Sequence, residues 1–257
     1  MLYIVIVLGL VFGSFMNVLI YRIPRGISII LPSSFCPKCR KPIRWRSNIP
    51  VVSFIVQRGR CISCGERISW VYPAAELLTA LLFLLIYLFY GFSLVTIKYC
   101  FMTFMMLVAG FTDLTTKLDA ANFECGVIPE AFTTGLVFCG FVWAFFTPPG
   151  FYEALAGSAG GMFMLLIPAY FYKVFTKRDG MGDADALFMA GAGAFLGLLP
   201  VLFVVILSAV LGVLTGIVVI AVTKNRGYML PFGPMVACAS VLFLFAGDPV
   251  MRLLGYK

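Results

Sequence analysis

The feature that most constrains this chain is a succession of apolar windows too long and too poor in charge for a soluble core. Eight can be read, over residues 2–20, 72–91, 94–112, 127–147, 151–173, 184–199, 201–222 and 231–247. A helix needs roughly 17–25 largely apolar residues to cross a bilayer. The sixth window is the shortest, with Pro200 marking its end. Hydrocarbon offers no partners to backbone amides, so such windows fold as helices. The expected fold is an all-α polytopic membrane protein of about eight transmembrane helices. Composition agrees, because 62% hydrophobic and 12% charged residues could not cover a soluble domain of 257 residues. The first window lacks a basic approach and a small-residue cleavage site, so it reads as a retained span.

Charge supplies the orientation. Residues 22–71 hold ten of the nineteen Lys and Arg residues. Lys117, then Lys173, Lys177 and Arg178, then Lys224 and Arg226 fall in loops on the same side, leaving only Lys98, Arg252 and Lys257 elsewhere. The excess of basic loops on the inner face places 22–71 in the cytoplasm and both termini outside. Membrane orientation thus accounts for the formal charge of +8, and no nucleic-acid partner is expected. The chain divides into a first transmembrane helix over 1–21, a cytoplasmic insertion over 22–71 and a membrane domain over 72–257.

Within the insertion, Cys36 and Cys39, then Cys61 and Cys64, form two CxxC pairs separated by 21 residues. Each pair can grip one metal from a tight turn, and two pairs complete a tetrahedral four-thiolate site. Such ligands on the reducing side of the membrane favour structural zinc over disulfides, giving a small zinc-ribbon-like insertion. Two redox pairs are the other reading. A closed four-sulfur site has no open position for catalysis. Cys100, Cys125, Cys139 and Cys238 are scattered, and the chain contains no histidine. That absence removes Ser-His-Asp and Cys-His catalysis together with the common His-based zinc sites.

Proton chemistry then rests largely on the eleven acids. Glu66, Asp179 and Asp248 read as solvated, while Asp119 and Glu124 fall in the polar stretch before Glu130. Glu76 is either a helix-start acid or part of a pocket. Asp113 ends the third window, and Asp183 and Asp185 open the sixth on the same side of the membrane. Two carboxylates at one depth cannot both ionise readily, so one retains a proton while the other is a base. An aspartic peptidase needs that pair: one carboxylate activates water and the other protonates or polarises the scissile carbonyl. A proton-coupled transporter also keeps acids in its spans, and a zinc-ribbon scaffold for a membrane assembly would need none.

The segments "GSFMNVLIYRIPRG" at 13–26, "IRWRSNIPVVSF" at 43–54, "RGRCISCGERISWVYPAAELLTALLF" at 58–83 and "LPFGP" at 230–234, with the two CxxC pairs, carry a resemblance. Over most of its length the chain resembles the type IV prepilin peptidases, membrane aspartic proteases of the GxGD class. The resemblance implies cleavage of the basic leader of type IV prepilins or type II secretion pseudopilins at the cytoplasmic face of a bacterial inner membrane. Both termini would be periplasmic. Bifunctional members also methylate the new N-terminal amine with S-adenosylmethionine; the alternative is a peptidase alone, with 22–71 docking leaders. On this reading 22–71 is linked to methyl transfer and 72–257 is the peptidase domain.

Two departures fix the site residues. The family reads GMGxGDxKL where residues 180–188 read "GMGDADALF". Both the preceding "GMG" and the following "GAFLG" put Asp185 at the catalytic position, with Ala184 and Leu187 replacing the glycine and lysine. Asp183 completes a literal GxGD string but lies about 200° around a helix from Asp185. Asp113 is the first catalytic aspartate, although "IPE" at Ile128 follows about nine residues later than the family spacing, leaving an extended loop over 114–127. No glycine-rich dinucleotide fingerprint is present. Gly59, Glu76 and Asn48 are the candidates for the S-adenosylmethionine region, with Asn17 and Arg22 as further polar candidates; Gly59 alternatively makes the turn before the second CxxC pair.

Overall fold

A computed structural model gives the structure over residues 1–119, 122–123, 126–177, 181–224 and 230–253, with side chains described up to residue 247. Glu124, Cys125, Arg178, Asp179, Gly180, Arg226 and Lys257, and the side chains of Asp248 and Arg252, lie outside that description. Each of the eight apolar windows is a helix. In chain order these are α1 (Leu2–Arg22), then after the short α2 (Val52–Val56) come α3 (Val71–Tyr90), α4 (Leu94–Leu118), α5 (Glu130–Ala144), α6 (Phe151–Thr176), α7 (Asp183–Leu196), α8 (Leu198–Thr223) and α9 (Gly233–Leu253). Five of them, α1, α3, α4, α6 and α8, are long and apolar enough to cross a membrane, and α5 and α9 are shorter apolar helices. Among the described residues there is no strand, only two isolated bridges.

The chain forms two compact units, Met1–Phe92 and Ser93–Lys257. In the first, α1 packs along α3 through the sequence "GLVFG". A Cβ on Gly9 would stand 2.5 Å from the Ala80 Cα, and one on Gly13 would stand 2.6 Å from the Glu76 Cα. Two glycines one turn apart remove the side chains that would hold the helices off, so backbone meets backbone. Arg22 ends α1, and a tight turn at Ile23–Arg25 closes on Gly26, whose φ of +64° suits glycine.

In the second unit α7 is the enclosed element. From Phe188 to Leu196 every residue is buried, packed by α5, α6, α8 and α9. Here too small residues set the spacing. A Cβ on Gly157 of α6 would run into the Gly193 carbonyl and stand 2.5 Å from the Gly197 carbonyl carbon, while one on Gly140 of α5 would stand 2.6 Å from the Ala194 Cβ. Helix α7 is therefore short because protein, not lipid, surrounds it. Lys98 of α4 is fully buried and donates to the Pro148 carbonyl, tying α4 to the turn between α5 and α6.

These close approaches predict a contrast between two glycines. Gly157→Val should destabilise the protein by about 1–3 kcal/mol through overpacking, read as a lower unfolding temperature in detergent. Gly135→Ala, whose Cβ would come no nearer than 4.0 Å to the Met105 Cε, should leave that temperature unchanged or raise it.

Candidate functional site

The acids at the end of α4 and the start of α7 come together. Asp113 lies in the last two turns of α4 and is 4% exposed. Its Oδ2 accepts a hydrogen bond of 2.9 Å from the Gly233 N–H, the first residue of α9. The opening amides of a helix have no partner within it, and the helix dipole adds partial positive charge there. The carboxylate thus takes up a donor that would otherwise be unpaired.

Glycine is required on both sides of that carboxylate. A Cβ on Gly233 would stand 2.8 Å from Oδ2 and 3.0 Å from the Ile128 side chain, and one on Gly126 would collide with Oδ1. The chain beyond α4 turns back to bring Gly126 there, held by the Val127 N–H donating to the Thr116 hydroxyl at 2.9 Å. That hydroxyl donates in turn to the Thr112 carbonyl at 2.7 Å. The extended stretch over 114–127 is in part a continuation of α4, which runs to Leu118, and in part this return.

Asp185 sits in the first turn of α7, half-buried, and the Asp113 charge acts directly on it. Its amide donates to the Gly182 carbonyl at 3.1 Å, closing the first turn. Asp183 is exposed at the helix start. The two acids differ in setting as their separation around a helix demands. Asp185 is the less exposed of the two. Gly233 and Gly126 are partners that the sequence reading did not single out. The signal for the first was a Gly-Pro pair opening a helix, since proline favours the first turn.

The four sulfurs of Cys36, Cys39, Cys61 and Cys64 all lie within 4.8 Å of one another, and those of Cys36 and Cys64 are 4.0 Å apart. All four are free thiols. Tetrahedral zinc with bonds of about 2.3 Å needs sulfurs about 3.8 Å apart, so the donor set fits that ion. The two turns repeat one another. Cys36 N–H donates to the Lys41 carbonyl and Arg40 N–H to the Cys36 carbonyl; Cys61 N–H donates to the Glu66 carbonyl and Gly65 N–H to the Cys61 carbonyl. The residue after each second cysteine has positive φ, Arg40 at +59° and Gly65 at +71°. Backbone donors from Cys64 and Ser63 lower the Cys61 thiol to about 7. The Glu66 amide favours the Cys64 thiolate, but partial desolvation and the three neighbouring sulfurs push it up to about 12. Four thiolates this close repel one another, and a divalent cation removes the conflict.

The first unit also contains a cavity of about 900 Å³, in the range of small-molecule sites. Asn48, Glu76 and Asn17 line it, beside Phe35, Phe54 and Tyr72. Glu76 is buried and its Oε2 accepts the Val51 N–H at 2.7 Å. Val51 has φ of +59°, an unfavourable conformation for a β-branched residue, so this bond holds the loop in place. The Asn17 side-chain amide donates to the Tyr72 carbonyl at 3.1 Å. Gly59 does not line the cavity; with φ of +65° it closes the turn after α2, and a Cβ there would stand 3.0 Å from the Phe54 ring.

Comparison with known proteins follows the same division. Residues 7–90 match the family described as the bacterial peptidase A24 N-terminal domain, and residues 100–217 match the type IV leader peptidase family. A prepilin leader peptidase/N-methyltransferase of Neisseria gonorrhoeae is 32% identical, over 97% of this chain and 92% of the relative. One of Bacillus subtilis (strain 168) is 31% identical, over 98% of this chain and 96% of the relative. A type 4 prepilin-like proteins leader peptide-processing enzyme of Escherichia coli O78:H11 is 29% identical, over 92% of this chain and 91% of the relative. No solved structure matches the chain significantly. With relatives of this identity along nearly its whole length, the chain belongs to the type IV leader peptidase family.

Proposed function

We propose that this protein removes the basic leader from type IV prepilins or type II secretion pseudopilins and then methylates the exposed N-terminal amine. The observation that carries the reading is that Asp185, about seventy residues further along the chain, lies within reach of the Asp113 charge. Asp113, fixed by the Gly233 amide, and Asp185, on a partly open helix start, form the catalytic dyad. One draws the proton from an attacking water while the other donates to the scissile carbonyl, and the roles exchange as the tetrahedral species collapses. The membrane domain of the sequence reading, 72–257, carries this chemistry.

Methyl transfer belongs to the region over 22–71 and the cavity beside it. S-adenosylmethionine supplies the electrophilic methyl, and the amine of the cleaved substrate supplies the lone pair. Glu76 and Asn48 are the proposed cofactor contacts, with Glu76 also fixing the Val51 turn before α2; Gly59 shapes the turn after α2. Zinc held by Cys36, Cys39, Cys61 and Cys64 staples a segment too small to build its own core. The cavity wall carries Arg22, Lys38, Lys41, Arg44, Arg46 and Arg67 against Glu66 and Glu76. The positive-inside distribution supports a cytoplasmic location for this region in an inner-membrane protein with both termini periplasmic.

Four outcomes test this. In detergent, with no proton gradient, a matched prepilin should lose its leader and gain one methyl by intact mass. Asp113→Asn and Asp185→Asn should each lower the cleavage rate by about 10²- to 10⁴-fold, while Asp183→Asn cleaves normally. Cleavage that requires a sealed, energised vesicle would point to a transporter instead. Removing the metal with a strong chelator, or Cys61→Ser, should abolish methylation and lower the unfolding temperature, with one zinc per chain in the untreated protein by elemental analysis. Glu76→Gln should lower methyl transfer at least tenfold while leader cleavage is unchanged, a change of about 1.4 kcal/mol or more in barrier; equal loss of both activities would remove Glu76 from the methylation site.

A further inference from the structure

We propose that the recess between α1 and the loop over residues 26–34 is a binding site for an anionic phospholipid. It is an open cavity of about 460 Å³ within the first unit. One wall is α1 itself, through Val11, Phe15 and Val18. Val11 and Phe15 are exposed on a helix long and apolar enough to cross a membrane, so they face lipid. The opposite wall is Ile29 and Ile30. Phe15 lies seven residues before the end of α1, about 10 Å along the axis at the helical rise. The loop thus folds back beside the last turns of α1 rather than away from them.

The loop is built for that depth. Leu31 and Ile30 are 72% and 79% exposed, an arrangement unfavourable in water and favourable in acyl chains. Several of its polar groups are tied internally, which lowers the cost of leaving water. Arg22 donates to the Ser28 carbonyl at 2.9 Å and to the Ser33 carbonyl at 3.2 Å, and the Ser28 hydroxyl accepts from the Ile30 amide at 3.3 Å. Arg22 is 4% exposed, lines the recess and stacks at 5.4 Å on Phe35. Among the described residues no carboxylate pairs with it. A buried guanidinium bound only to carbonyls and a ring keeps its full charge, and an anion at the mouth of the recess neutralises it.

Charge complementarity selects the occupant. Residues 22–71 carry ten Lys and Arg residues against the single acid Glu66. Among the described residues Arg22 is the one charged residue lining the recess itself, and an anionic headgroup beside an acyl groove satisfies both halves of it. Phosphate at Arg22, Ser33 and Ser34 places the acyl chain along Val18, Phe15 and Val11. The inference depends on α1 crossing the bilayer and not on the proposed peptidase or methyl-transfer chemistry.

The test uses the full chain in lipid nanodiscs, with Trp45, Trp70 and Trp143 replaced by Phe and Ile30→Trp as the only indole. Fluorescence is quenched with chain-brominated phosphatidylglycerol or with chain-brominated phosphatidylcholine at the same mole fraction. Quenching by the anionic lipid should be about fivefold more effective, the preference one basic contact with an anionic headgroup supplies. Equal quenching by the two lipids would remove the headgroup site, and none by either would take the loop out of the bilayer. Native mass spectrometry of the unaltered protein guards against misfolding of the reporter. It should retain phosphatidylglycerol over phosphatidylcholine from an equimolar mixture, and equal retention would overturn the proposal.

Discussion

The second unit is organised around a carboxylate that must be buried and still be satisfied. An ionisable group taken from water without partners costs several kcal/mol, and Asp113 is nearly inaccessible. The Gly233 amide supplies a donor that α9 has to spare, and that single bond links the end of α4 to the start of α9. The demand propagates outward. Gly233 and Gly126 must lack side chains, and the return through Val127 must dock on Thr116. The enclosure of α7 by small-residue contacts then holds Asp185 within reach of the charge of the same acid. The proposed chemistry needs two carboxylates at fixed separation, and the packing that supplies them is made largely of glycine.

The first unit solves a related problem by other means. Its buried charges, Arg22 and Glu76, are satisfied mainly by backbone: carbonyls of Ser28 and Ser33 for one, the Val51 amide for the other. Each bond fixes a loop that has little core of its own. The paired turns around the four cysteines add a third fixed point. Between these anchors the segment over 22–71 can leave apolar side chains exposed and carry high positive charge without collapsing, as a bilayer surface permits and bulk water would not.

Much of this was legible in the sequence, for identifiable reasons. All eight helices lie where the apolar windows lie, because helix is the available solution for such runs in lipid. The cysteine cluster followed from spacing alone, since two residues between thiols make one tight turn. The choice of Asp185 over Asp183 rested on flanking register; in the structure Asp185 is half-buried and Asp183 exposed. What could not be read were contacts made by backbone. Gly233 donates through its amide, and nothing in the identity of residue 233 says which carboxylate it will meet. The Val51 turn was equally hidden, because a positive φ at valine violates local preference and exists through Glu76. Gly59 carries its own local signal, a turn, and its positive φ and the nearby Phe54 ring fit that signal.

The central claim is that Asp113 and Asp185, and not Asp183, share one site. The most direct measurement is cross-linking of Asp113→Cys paired with either Asp185→Cys or Asp183→Cys, using a short bifunctional thiol reagent on the detergent-solubilised protein and peptide mass spectrometry to locate the link. The account predicts a 113–185 link and none between 113 and 183. A 113–183 link, or the absence of any link to residue 185, would contradict it.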